Sequence, residues 1–110
     1  MNTTTSTSRI LGETQRGVRP PTKAAIAKDP FWAYRYAMDV IGGRFPEGEA
    51  AIAKDPFWAY RYARYVLKGR FPEGEAVIAT DPYQAKDYLD RFPEAKLEWA
   101  MNGWIDWLDL

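Results

Sequence analysis

Asp29, Asp55 and Asp81 recur at intervals of 26 residues, and each is followed by proline. Recurrent carboxylates invite general acid–base work or hard-cation binding. Asp-Pro also starts helices: the carboxylate accepts from free N–H groups of the first turn, and proline takes the first helical position. Capping accounts for all three aspartates. Glu47, Glu49, Glu73 and Glu75 lie in two PEGE segments, where the positive end of a helix dipole favours anions. They offer oxygens to a hard cation but lack calcium-loop spacing. The chain has no cysteine and no histidine, which removes disulfides, a thiol nucleophile, thiolate metal sites and the commonest general base. Its glycines end helices or sit within PEGE and form no phosphate-cradling loop. The expectation is a chain that is not an enzyme and has no catalytic residues, cofactor or metal site.

The remaining chemistry is that of recognition. The run WAYRYARY interleaves Arg with Tyr and Trp, as surfaces that stack bases and pair phosphates do. A net charge of zero and a helical wheel that turns most of these aromatics inward favour a packing role over direct nucleic-acid binding. Trp, Tyr and Arg are also common anchors of protein interfaces. The candidates for partner contact are Trp32, Arg35, Trp58, Arg61 and Arg64 on the repeats, with Trp104, Asp106, Trp107 and Asp109 near the C-terminus.

These residues sit in a repeating frame. Residues 25–50 read AIAKDPFWAYRYAMDVIGGRFPEGEA and residues 51–76 read AIAKDPFWAYRYARYVLKGRFPEGEA, identical at 22 of 26 positions. A third copy, VIATDPYQAKDYLDRFPEA, starts at Val77 and lacks five residues after Asp90. Such self-similarity predicts an all-α protein of short αα-hairpin repeats with a period of 26, stacked as a small solenoid and closed by a C-terminal capping helix. Each unit reads as a short PEGE helix followed by an Asp-Pro helix ending near Gly42-Gly43 or Gly69. The units run over about 20–45, 46–71 and 72–92 within one domain, 20–110. Residues 1–19, rich in Ser and Thr, read as a mobile basic arm.

On the Asp-Pro helix, Ala59, Tyr62, Ala63 and Val66 form the central apolar stripe at 100° per residue. Trp58 and Tyr65 flank it on one side, Tyr60 and Leu67 on the other. Alanine recurs at 33, 59 and 85, tyrosine at 36, 62 and 88, and an aromatic at Phe31, Phe57 and Tyr83; these positions are expected to close each hairpin. A final helix is expected from Pro93 to the end, packing Leu97, Ala100, Met101, Trp104 and Leu108 inward and leaving Trp99 off the stripe.

Charge is unevenly spread: residues 1–23 carry four basic groups against Glu13, and residues 76–110 carry three basic groups against seven acidic ones. No apolar run approaches the length of a membrane span, and the N-terminus lacks the apolar core of a signal peptide. The expected location is the cytoplasm.

The segment AIAKDP-FWAYRYA-RYVLKGRFPEGEA resembles a short repeat found in many tailed-phage proteins, often in tandem and mostly without assigned function. The resemblance spans roughly residues 24–94 through DP, AYxYA, LxGRFPEGE and their spacing. It implies a phage or prophage origin and brings no catalytic residues. The expectation is a phage-type module that binds a host protein or ribonucleoprotein complex, such as an inhibitor of host defence of the anti-CRISPR kind. Binding of RNA or single-stranded nucleic acid, and a structural or self-assembling role, are the alternatives.

Overall fold

Each long helix begins where Asp-Pro places it. Asp29 Oδ1 accepts from the Trp32 N–H at 3.1 Å. Asp55 Oδ1 accepts from the N–H groups of Phe57 and Trp58, at 2.9 and 3.1 Å. Asp81 Oδ1 repeats this with Tyr83 and Gln84 at 2.9 and 3.2 Å. All three aspartates therefore cap helices. The computed structural model describes residues 21–106, so the arm read over residues 1–19 lies outside the described residues.

Among the described residues the protein is all-helical, with no strand. Helix α1 spans Lys23–Ile26, α2 Pro30–Tyr36, α3 Pro46–Ile52, α4 Pro56–Arg61, α5 Pro72–Ile78, α6 Pro82–Arg91 and α7 Lys96–Met101. No helix of the described chain is long and apolar enough to cross a membrane. The closest packing joins α2 to α3 and α4 to α5, while α4 also touches α2 and α6. The tightest hairpin thus pairs an Asp-Pro helix with the PEGE helix that follows it, across the Arg-Phe-Pro connector.

The core repeats with the sequence. Ala33, Ala59, Ala63, Tyr62, Tyr88, Phe45, Phe71, Ile52 and Ile78 are buried. Ala59, Tyr62 and Ala63 form the expected inner stripe, with Val66 half-buried beside them. The aromatic positions expected to close each hairpin do not: Phe57 is exposed, Phe31 is half-buried and Tyr83 is 81% exposed. The connector phenylalanines Phe45, Phe71 and Phe92 are buried instead. They follow the helix ends and fold back under the next helix, a placement that a single-helix wheel does not register.

The long helices do not keep one winding to their ends. Helix α2 continues as a π-helical segment, Ala37–Ile41, and α4 continues as Tyr62–Leu67. The Gly42 N–H reaches the Ala37 carbonyl, five residues back, at 2.8 Å. Each segment stops at a left-handed residue, Gly42 at φ 74° and its counterpart Lys68 at φ 54°. The stop therefore falls one residue before Gly69. The third copy lacks the counterparts of Tyr65 to Gly69, and α6 is α-helical to its end at Arg91.

The PEGE glycine has a steric reason. A Cβ on Gly74 would lie 2.8 Å from Phe71 Cδ2 and 3.0 Å from Ala59 Cβ, so only glycine lets α5 approach α4 this closely. Gly74→Ala gains about 1 kcal/mol of helix propensity. Overpacking costs about 1–3 kcal/mol and is expected to dominate, giving a lower urea midpoint than wild type.

The C-terminal helix is shorter than expected and turned differently. A 3₁₀ turn, Pro93–Ala95, leads into α7, which ends at Met101. Leu97 is 55% and Met101 70% exposed, whereas Trp99 is fully buried beside Ala95 and Ala100. Sequence alignment across the five-residue gap explains the reversal, because Phe92-Pro93 matches Phe71-Pro72 and Trp99 falls on Ile78. The segment repeats a PEGE helix and buries the same position. Asn102-Gly103 then stands where Asp-Pro began the earlier helices. Gly103 adopts φ 77°, a left-handed conformation that proline cannot take, and residues 104–106 are not helical. Leu108 lies outside the described residues.

Candidate interaction surface

The most chemically equipped cluster is buried and serves packing. Glu75 is 3% exposed. Its carboxylate accepts from Arg70 Nε and Nη2, both at 2.8 Å, from the Tyr88 hydroxyl at 2.6 Å and from Trp99 Nε1 at 3.1 Å. Tyr88 Oη in turn accepts the Phe71 N–H at 2.9 Å. Arg70 also donates to Glu98. One copy earlier, Arg44 donates to Glu49, the Tyr62 hydroxyl donates to Glu49 at 2.7 Å, and Tyr62 Oη accepts the Phe45 N–H at 2.8 Å. The Arg-Phe-Pro-x-Gly-Glu motif is thus a lock that receives the tyrosine of the following Asp-Pro helix.

Electrostatics fit that role. Burial is the largest influence on Glu75 and raises its carboxyl pKa; the hydrogen bonds from Arg70, Tyr88 and Trp99, with the Arg70 charge, outweigh it and hold the group below the ordinary carboxylate range. Burial, followed by the bond to Glu75, raises the Tyr88 hydroxyl above the ordinary tyrosine range. A carboxylate offers about four acceptor sites, and four donors occupy those of Glu75. It is held ionised and saturated. Among the described residues no group of three His, Cys, Asp or Glu side chains is arranged to hold a metal ion.

The surface candidates separate. Trp32 is 53% exposed and meets Phe31 edge-on at 4.8 Å. Trp58 is half-buried, 5.2 Å from both Phe31 and Tyr34, and bridges two copies. Arg35 is ion-paired with Asp39 at 2.6 Å. Arg61 lies over the Phe57 ring at 4.4 Å. Arg64 donates to the Tyr60 hydroxyl at 3.2 Å and lies over the Tyr65 ring at 4.9 Å. Trp104 packs edge-on against Trp99 at 5.9 Å, and Asp106 lines the groove beside it. Trp107 and Asp109 lie outside the described residues.

Of these candidates, Arg64 enters a set of residues that the sequence did not single out. A groove of about 350 Å³ is lined by Arg64, Tyr65, Lys68, Arg91 and Phe92. A second, of about 240 Å³, shares Tyr65 and Lys68 and extends to Met38, Gly42, Gly43 and Val66. Together they run from the π-helical ends of the first two long helices to Arg91 and Phe92 at the α-helical end of α6. Arg64, Lys68 and Arg91 make no ion pair among the described residues. π-helical turns inside helices are frequent at functional sites.

The signal for this surface was present in the two near-identical copies. They differ at Met38/Arg64, Asp39/Tyr65, Ile41/Leu67 and Gly42/Lys68. Three of the four pairs, all but Ile41/Leu67, supply groove-lining residues. Exposure alone does not select them, since Lys28/Lys54, Arg35/Arg61 and Glu47/Glu73 are identical between copies. The deletion in the third copy falls on the same stretch. Comparison of the chain with protein-family models, with curated proteins and with solved structures finds no match.

Proposed function

We propose that this chain acts by binding rather than by chemistry, as a short helical solenoid whose copies share one packing scheme and differ along one recognition line. The observation that carries the reading is that three of the four positions at which the two near-identical copies differ, Met38/Arg64, Asp39/Tyr65 and Gly42/Lys68, supply residues that line the grooves. Arg64, Lys68 and Arg91, which make no ion pair among the described residues, supply positive charge there, with Asp87 and Asp90 beside Arg64 and Arg91, and Met38 and Tyr65 supply exposed apolar surface. The matching partner is a protein surface carrying carboxylates beside apolar side chains, for which complementary charge sets encounter and register. The resemblance to tailed-phage repeats suggests the setting: a phage-type protein in the bacterial cytoplasm that occupies a surface of a host-defence complex, as an anti-CRISPR inhibitor does. Neutral overall charge argues against a nucleic-acid mimic, which would be strongly acidic.

Nucleic acid is the competing partner for the same cations. The Arg-Tyr-Trp run gives it weaker support, because Tyr34, Tyr60 and Tyr62 are buried and Arg35 is neutralised by Asp39. Capture from a phage-host lysate with and without nuclease tests the reading. A defined host protein complex retained after nuclease, and lost with Arg64→Glu/Arg91→Glu, is the expected result. Retention only through RNA or single-stranded DNA, with steep salt dependence, would transfer the surface to nucleic acid.

A further inference from the structure

The two ends of the repeat array are complementary to one another. Inside the chain, Trp58 of the second copy docks against Phe31 and Tyr34 of the first, 5.2 Å from each ring. Trp32 is the same residue one copy earlier, yet it is 53% exposed and touches only its neighbour Phe31 among the described aromatic rings. At the other end, Tyr83 occupies the position of Phe31 and Lys86 that of Tyr34. Tyr83 is 81% exposed. On the same helix a groove of about 560 Å³, which Tyr83 itself does not line, is bounded by Pro82, Ala85, Lys86 and Leu89 and by Trp104 and Ile105.

Among the described residues no helix continues the array in this groove: Asn102-Gly103 replaces Asp-Pro and the chain turns at Gly103. Among the described residues, one end of the protein therefore presents Trp32 with no ring beyond Phe31 against it, and the other presents an exposed Tyr83 ring with no tryptophan against it, Trp104 packing on Trp99 instead. Lys86, ion-paired with Asp90 at 2.8 Å on the exposed side of α6, places an ammonium group beside Tyr83, and such a group is attracted to the face of an indole.

We infer that a second copy of this chain is the occupant: Trp32 of one molecule docks on the Tyr83–Lys86 face of the next, continuing between molecules the contact that Trp58 makes within one. The association is head-to-tail, so every assembly keeps one free end of each kind and grows with concentration. It uses surfaces separate from the Tyr65 groove and stands or falls independently of the partner proposed for that groove.

Sedimentation velocity of the full chain over micromolar to millimolar concentration tests this, with Trp32→Ala and Tyr83→Glu as variants. Both changes lie on exposed side chains, and far-ultraviolet circular dichroism confirms that each variant keeps its helices. Wild type is expected to at least double its weight-average mass across the range, and each variant alone to remain monomeric. Mixing the two restores one intact joint, because Trp32→Ala retains the platform and Tyr83→Glu retains the tryptophan. The mixture is expected to form a heterodimer and to stop there. Three results would overturn the proposal. They are a monomeric wild type, including one in which residues 1–20 shield Trp32 from a fluorescence quencher; self-association that survives both changes; and a mixture that stays monomeric.

Discussion

Glu75→Gln is expected to destabilise the protein by about 3–5 kcal/mol, the usual consequence of removing one partner from a buried charged pair. The amide cannot satisfy the Arg70 guanidinium, the Tyr88 hydroxyl and the Trp99 N–H that converge on the carboxylate. Its two oxygens become one oxygen and an NH₂ group that confronts donors. Glu49→Gln is expected to cost less, because Glu49 is more exposed and binds no tryptophan. Urea unfolding of both variants checks the order.

The same carboxylate sets the acid limb of stability. Its folded pKa is depressed below the ordinary value of 4.5, so the unfolded chain takes up the proton first. The stabilisation is full above pH 4.5 and is lost as pH falls from there through the depressed folded value. Tyr88 and Tyr62 are shifted upward from 10.0, so their contribution is full below pH 10.0 and is lost as pH rises beyond it. Glu75→Gln is expected to flatten the acid limb of a stability-against-pH curve.

Trp99→Ala is expected to cost a further large amount, about 3–5 kcal/mol, as truncations of buried tryptophan do. The indole stacks on Tyr88 at 5.3 Å with rings 15° apart, meets Trp104 and donates to Glu75. Trp99→Phe keeps most of the apolar bulk and loses the N–H, so it is expected to cost about 1–3 kcal/mol. Leu97→Ser and Met101→Ser, on the exposed side of α7, are expected to stay within about 0.5 kcal/mol of wild type. Thermal and chemical denaturation of the four variants distinguishes this burial from the inward stripe expected of a straight helix, which would make Leu97 and Met101 the costly positions.

That contrast shows where sequence reading succeeds and where it stops. The period, the helical class, the Asp-Pro caps and the buried alanines follow from local rules, because capping and close helix contact act within a turn or two of the residues concerned. Trp99 does not follow: a wheel drawn on an uninterrupted helix assumes that nothing ends it, and Gly103 does. The lock around Glu75 was equally hidden, since its tyrosine stands 13 residues away and its tryptophan 24. Only the return of the chain brings them together, and a dipole argument already accounted for the glutamate. The π-helical ends displaced Tyr65 and Lys68 from the faces that 100° per residue assigns. Arg91 and Phe92 join them from another copy, so no single-copy pattern assembles the groove. What the sequence did carry was the placement of the differences between its copies.

The recognition line at Tyr65 is the central claim, and one titration tests it most directly. The partner recovered after nuclease treatment is titrated by calorimetry into wild type and into Arg64→Glu/Arg91→Glu, both of unchanged helicity. The account predicts that the double charge reversal weakens binding at least about tenfold, or about 1.4 kcal/mol. Equal affinities for the two proteins would contradict it and place recognition elsewhere on the molecule.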